Sequence, residues 1–238
     1  MGDVSANVNT LSRMRSSIHN CGLWGLTIMR NGWNVNRSYR GMSAEQRLAD
    51  RRERLMAAAY TLYAKPGFAA TTIERLCTEA RISNRAFYEC FGGREELLQA
   101  LHERCVDETI AAVSKALQEA PQELDERIRA GISSYIGFAT ADWRRARIMH
   151  VEVRRSGDVL TASRQRAIES FARMVEDVTD SFPDPAPVNR HLLALGVIGA
   201  LQELLIEWVL AEEPPSIEEL VAAAVHIFHR SFSNQVIT

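Results

Sequence analysis

The chain has 238 residues, of which 46% are hydrophobic and 24% charged, and its formal net charge is -2. This balance excludes collagen-like, low-complexity and wholly disordered classes and leaves room for one large or two modest packed domains. Four cysteines (Cys21, Cys77, Cys90, Cys105) form no C-x-x-C pair and are too sparse for a secreted disulfide scaffold, which points to reduced thiols in a cytoplasmic protein.

Residues 1–43 carry no sustained 3.6- or 2-residue period and read as a disordered basic arm, or as an over-extended reading frame whose true start is Met42. The apolar patch "CGLWGLTIM" at 21–29 lacks the small-residue cleavage site of a signal peptide. From Ala44 to Ala64, Leu48, Leu55, Ala59 and Leu62 fall on one helical stripe, and Pro66-Gly67 ends it. A short helix follows from Thr72 to Ala80, with Thr71 and Glu74 at capping-box spacing. Ser83 then caps a second short helix reaching Phe91, and Gly92-Gly93 breaks it.

A long helix is predicted over 94–119, carrying Leu97, Leu98, Leu101, Val106, Ile110, Val113 and Leu117. Further helices are predicted over 122–140, 142–155, 158–181, 188–211 and from Ile217 to about Phe228, with "FPDPAP" as a rigid loop. The stretch 192–210 is long enough to span a membrane, but Gln202, Glu203 and Glu207 make it a poor span. It reads as a helix buried on one side by its own domain and on another by a partner subunit, and no membrane association is expected. The fold class is all-α with about nine helices: an N-terminal three-helix domain and a larger helical domain.

Net charge conceals an asymmetry. Residues 1–100 hold 14 basic against 9 acidic side chains, and residues 101–238 hold 14 against 21. A basic end and an acidic end suggest different tasks. If Met42 is the start, residues 42–100 keep only 9 basic against 8 acidic, so affinity for a nucleic acid must come from placement rather than bulk charge.

Two short helices joined by a tight turn after a longer helix make a helix-turn-helix candidate at about 72–91. Ile73, Leu76, Cys77, Ala80 and Ile82 supply its inner face, and Phe87 and Phe91 anchor the second helix. Ser83, Asn84, Arg85, Ala86, Tyr88 and Cys90 are left for other faces, with donors suited to base edges and phosphates.

With "AAAYTLYAKPGF" at 57–68, "TTIERLCTEARIS" at 71–83, "AFYECF" at 86–91 and "REELL" at 94–98, the stretch 54–98 resembles the DNA-binding domain of the tetracycline-repressor (TetR) family. The resemblance implies a DNA-binding domain over 44–105 and an effector-binding and dimerisation domain over 106–238. It further implies that Thr72 contacts phosphate, that Ser83, Asn84, Arg85 and Ala86 open the recognition helix, and that the Tyr88 hydroxyl reaches a phosphate. Arg85 is the candidate for reading guanine. Three positions depart from the family pattern: Arg94 stands where lysine is common, Arg81 replaces the usual turn glycine, and Cys90 sits where histidine is frequent.

A homodimer on a (pseudo)palindromic double-stranded operator is expected, because one small module reads few base pairs. Gly196 and Gly199 permit close helix approach at such an interface, beside the apolar stripe of 217–228. A small-molecule effector is expected among Tyr135, Phe138, Trp143, Met149, Phe171, Met174 and Trp208, with His150, Glu203 and Glu207 setting polarity. The cluster Arg144, Arg145, Arg147, Arg154 and Arg155 reads as a solvated face or as a site for an anionic effector. No H-E-x-x-H, G-x-S-x-G, phosphate loop or dinucleotide fingerprint occurs, so neither enzymatic activity, a metal nor a cofactor is expected. The expected function is a ligand-responsive transcriptional repressor. The alternative is a dimeric helical small-molecule-binding protein, or a helical enzyme without motifs, that does not bind DNA.

Overall fold

The computed structural model describes residues 41–180 and 188–232, so the expected arm and the "FPDPAP" loop lie outside the described residues. Nine helices occur among them: α1 (Ala44–Leu62), α2 (Ile73–Ala80), α3 (Asn84–Cys90), α4 (Arg94–Glu119), α5 (Leu124–Thr140), α6, α7 (Thr161–Thr179), α8 (Arg190–Leu210) and α9 (Ile217–Phe232). Helix α6 starts as Trp143–Arg147, widens into a π-helical turn at Ile148–Glu152 and closes as Val153–Arg155. The described residues contain no strand.

Helix α1 forms under a complete capping box. The Ser43 hydroxyl accepts from the Gln46 N–H, and the Gln46 side chain accepts from the Ser43 N–H. Its buried stripe runs through Leu55, Ala59 and Leu62, but Leu48 is 39% exposed, in line with the exposed first turns of α1 at 44–49. The helix ends in a π-helical turn, Tyr63–Gly67, where Gly67 takes φ +112°, a conformation glycine reaches without a Cβ clash.

The cap of α2 is Thr72, one residue later than the sequence spacing suggested. Its hydroxyl accepts from the Arg75 N–H, while the buried Thr71 hydroxyl donates to the carbonyls of Gly67 and Leu62. Thr72 and the local backbone also lower the pKa of the exposed Glu74 carboxyl, the backbone bond being the larger cause.

Between α2 and α3 the turn keeps the glycine-type backbone despite carrying a side chain. Arg81 sits at φ 53°, ψ 50°, with its N–H on Thr78 O at 3.2 Å and the Ile82 N–H on Cys77 O at 3.0 Å. These two bonds close a Schellman-type end. A left-handed residue with a Cβ costs roughly 1–2 kcal/mol, partly offset by glycine's larger freedom in the unfolded chain. Arg81→Gly is therefore expected to stabilise the protein by about 1 kcal/mol, read as a higher urea midpoint at unchanged m-value. An unchanged or lower midpoint contradicts this account.

Helices α4 and α5 pack side by side, α7 lies on α8, and α9 covers α5 and α8, so one core runs through both parts of the chain. Helix α8 buries Ala194, Val197, Ile198, Leu201, Leu205 and Trp208, yet leaves Leu192 63% exposed, with open space beside Gly196 and Gly199. It is long and apolar enough to cross a membrane, with a third of that apolar window buried in its own subunit. On α9 the expected stripe divides: Leu220, Ala224, Phe228 and Phe232 face inward, whereas Ile217, Val221 and Val225 are only half-buried.

Candidate nucleic-acid interface and effector cavity

Helix α3 is held from beneath and left open above. Phe87 and Phe91 are fully buried, and their rings lie 6.4 Å apart. The Ser83 hydroxyl accepts from the Ala86 N–H and fixes the helix start. Outward from this base stand Ser83, Asn84, Arg85 and Tyr88, with the Arg85 side chain 91% and Tyr88 59% exposed. Among the described residues Arg85 pairs with Glu89, one turn on, at 3.4 Å, an exposed pair worth little. Thr72, also exposed, stands at the start of α2. These five side chains, expected from the sequence to meet DNA, are all exposed.

Three of the anticipated residues are placed differently. Cys90 is 5% exposed and belongs to the core; burial raises its thiol pKa, and its carbonyl accepts from Arg52. Ala86 is buried under the helix, which follows from its position one turn before the inward Cys90. The Arg94 guanidinium turns inward, donating to the carbonyls of Phe68 and Thr71 and lying 4.9 Å from the Phe68 ring centroid. Arg94 is a strut that fixes the loop ahead of Thr72, with its Nη1 engaged by backbone carbonyls rather than open to solvent.

Sequence reasoning missed a set of struts on α1. Arg52 donates to Cys90 O and lies 4.1 Å over the Phe91 ring; Arg54 donates to the carbonyls of Ala80 and Arg81; Arg51 pairs with Glu89 at 2.7 Å. Two helix C-termini thus have their orphan carbonyls satisfied by cations from a third helix, with favourable dipole electrostatics. Residues counted as bulk positive charge serve as internal ties.

The arginine cluster of α6 is likewise drawn into pairs with protein groups, although Arg155 stays exposed and Arg144 and Arg154 are half-exposed. Arg144 pairs with Asp142 at 2.7 Å and lies 4.7 Å from the Tyr60 ring; Arg145 donates to Phe138 O and stacks on the Phe138 ring at 3.9 Å. Arg154 pairs with Glu203 at 2.6 Å and donates to Gln202. Arg147 and Arg155 converge on Glu152 at 3.1 and 3.7 Å. Glu152 is 1% exposed, and its carboxylate also accepts from the backbone N–H of Phe68 at 2.9 Å. A buried acid on α6 therefore anchors the loop that precedes α2. Its sequence signal was a lone acid inside the apolar run "IMHVEV".

Helices α4, α5, α6 and α7, with Gln202 of α8, line a small, partly open cavity of about 20 Å³, walled chiefly by His102, Val106, Tyr135, Met149, His150 and Phe171. Through His102, Val106 and Ala167 it adjoins a groove of about 400 Å³ edged by Glu103, Asp107, Ser163 and Arg166. Four anticipated residues (Tyr135, Met149, His150 and Phe171) line the inner cavity. Phe138, Trp143, Met174, Glu203, Glu207 and Trp208 do not. Phe138 is covered by Arg145, Trp208 packs in the core, and Glu203 and Glu207 face outward.

Both cavity histidines are buried. Desolvation pushes the His102 pKa down to about 4, opposed by nearby Glu103 and aided by Arg164 and Arg166, and the His150 pKa down to about 3, aided by Arg154 and His102. His102 Nδ1 lies 3.0 Å from Ser163 Oγ, whereas His150 Nε2 is buried without a hydrogen-bond partner among the described residues. Such an orphan in a walled space is a place for an incoming polar atom.

Comparison with known proteins agrees with this layout. The family described as bacterial regulatory proteins, tetR family, matches residues 55–101. The HTH-type transcriptional activator FasR of Mycolicibacterium smegmatis is 21% identical over 189 residues, covering 79% of this chain and 86% of that protein. The HTH-type transcriptional regulator YerO of Bacillus subtilis is 45% identical over 49 residues, covering 21% of this chain and 17% of that protein. Among solved structures, FadR of Bacillus subtilis in complex with stearoyl-CoA superposes with TM-score 0.66 at 16% identity, covering 74% of this chain and 96% of that one. The fatty acid degradation regulator FadR of Bacillus halodurans gives the same TM-score of 0.66 at 16% identity, covering 75% and 94%. At these identities the structural likeness speaks for the fold.

Proposed function

We propose that the chain, whose residues 55–101 match the DNA-binding tetR family of bacterial regulatory proteins, is a cytoplasmic, effector-responsive transcriptional repressor acting as a homodimer on a palindromic operator. The observation that carries the reading is the open outer face of α3. Ser83, Asn84, Arg85 and Tyr88 are exposed together on a helix whose other side is fully anchored. In this reading Arg85 makes a bidentate contact to a guanine edge, and the Tyr88 and Thr72 hydroxyls with the α2 N-terminus take phosphates. The uncovered apolar side of α8, with Leu192, Gly196 and Gly199, supports α8 and α9 as the dimer surface. No catalytic role forms part of the proposal.

The effector site in this reading is the cavity beside His150 and its adjoining groove. The stearoyl-CoA bound to the Bacillus subtilis FadR makes a long-chain acyl-CoA the first compound to try. A gel shift with DNA from upstream of the protein's own gene, repeated with stearoyl-CoA, tests both parts. A single retarded species that the effector dissolves is expected. Failure to bind that DNA or any selected palindrome overturns the regulator reading.

Arg85→Ala supplies a residue-level check. Loss of a guanine contact is expected to cost about 1–3 kcal/mol at the matched base pair and to relax preference there. Selection of binding sites with the variant reads this directly, and an unchanged preference removes Arg85 from base readout.

A further inference from the structure

The π-helical turn Ile148–Glu152 touches both of the sites described above. His150 faces the cavity with an unpartnered Nε2. Glu152, two positions later and so on another side of the helix, reaches out of the effector domain to the Phe68 N–H. The approach on that side is close: a Cβ built on Gly67 meets Glu152 Oε2 at 3.2 Å. Beyond Phe68 the chain is tied tightly forward. Thr71 bonds back to Gly67 and Leu62, Arg94 grips the carbonyls of Phe68 and Thr71, and the next residue is Thr72, the cap of α2.

We propose that Glu152 is the positioning residue through which occupancy of the cavity beside His150 is transmitted to the DNA-reading helices. A molecule that places a hydrogen-bonding group on His150 Nε2 draws on the wide turn, which has an ordinary α-helical alternative within reach. The carboxylate two residues on then shifts against Phe68. The loop ahead of α2 has no slack to absorb that shift, so it reaches the start of α2. Here the signal passes through one buried carboxylate and one backbone N–H, distinct from the long α4 that also joins the two parts. The inference rests on the effector reading of the cavity, and it specifies how that site is heard by the other.

The test avoids dependence on any particular effector by occupying the cavity with a side chain. Ala167, on the wall shared by cavity and groove, is replaced by phenylalanine, and by leucine as a milder filler. Amide hydrogen exchange of the full chain is followed over residues 67–73. With Glu152 present, filling the cavity is expected to speed exchange there by roughly fivefold or more, the low end of a typical coupling. Glu152→Ala is expected to raise the basal exchange and to abolish the further increment from the filler. Glu152→Gln, which keeps an acceptor for the Phe68 N–H, restores the response.

Unchanged exchange at 67–73 on filling overturns the proposal, as does a full increment in the Glu152→Ala background. Should both fillers unfold the protein, reciprocity supplies the second arm, because Thr71→Val, which frees the loop ahead of α2 from the Gly67 and Leu62 carbonyls, must alter exchange over 148–150 if the two ends are coupled. Invariance there also overturns it. None of these readings involves DNA or stearoyl-CoA, so their failure is distinguishable from a failed gel shift.

Discussion

Replacing Glu152 by alanine is expected to lower the unfolding free energy by roughly 3–5 kcal/mol, the typical cost of breaking a buried ion pair by removing one partner. The carboxylate is 1% exposed, and it satisfies the Phe68 N–H, Arg147 at 3.1 Å and Arg155 at 3.7 Å. Its loss strands a buried donor and leaves Arg147 without its anionic partner. Glutamine is expected to recover part of the loss, because its amide oxygen accepts from Phe68 while the charge attraction is gone. Urea unfolding of the three proteins checks the order wild type, Gln, Ala. A Glu152→Ala protein within about 1 kcal/mol of wild type would show that the bridge adds no more than an ordinary hydrogen bond.

The second large effect is an early acid sensitivity. His102 and His150 have folded-state pKa values of about 4 and about 3, depressed chiefly by burial. In the unfolded chain both titrate near 6.5, so below that pH the unfolded state binds protons that the folded state refuses. Their contribution is complete above about pH 6.5 and is lost progressively as pH falls toward the folded values. Each histidine removes roughly 2 kcal/mol by pH 5, from about 1.4 kcal/mol per unit below 6.5. The urea midpoint is therefore expected to fall between pH 7 and 5, before most carboxylates titrate, and His150→Leu is expected to halve that slope. A midpoint flat across this range contradicts the neutral pair.

Local rules made the DNA-facing half legible. Ser83 announced its helix by type and position, and Phe87 and Phe91 announced the buried side by spacing. Thr71 and Thr72 were confounded because both residues suit a cap. The helix phase separates them: Thr72 takes the extended φ of -93°, while Thr71 turns inward to two carbonyls. Arg81 was legible as an anomaly, and its left-handed backbone shows that the turn geometry prevailed over the side chain.

The sensing half was less legible, because its cavity is made by residues far apart in sequence. His102 meets Ser163 across 61 positions, and Glu152 finds a backbone N–H 84 positions away, a partner with no side-chain signature. Arginines were read by their charge, whereas Arg52, Arg54 and Arg145 are placed by carbonyls and rings that no spacing rule displays.

The tied arginines of α1 bear on how the protein responds to its surroundings. Each phosphate neutralised by a free cation adds about -0.9 to the slope of log affinity against log salt concentration, through release of condensed counterions. Arg51, Arg52 and Arg54 are half-buried against Glu89 and helix-end carbonyls, so they release few counterions. Exposed Arg75, Arg81 and Arg85 remain nearest the reading face among the described residues. In the proposed complex residues 42–238 are therefore expected to contribute only a shallow salt slope, and any steeper dependence of the full chain is expected to come from Arg13, Arg15, Arg30, Arg37 and Arg40 and to vanish when residues 1–41 are removed.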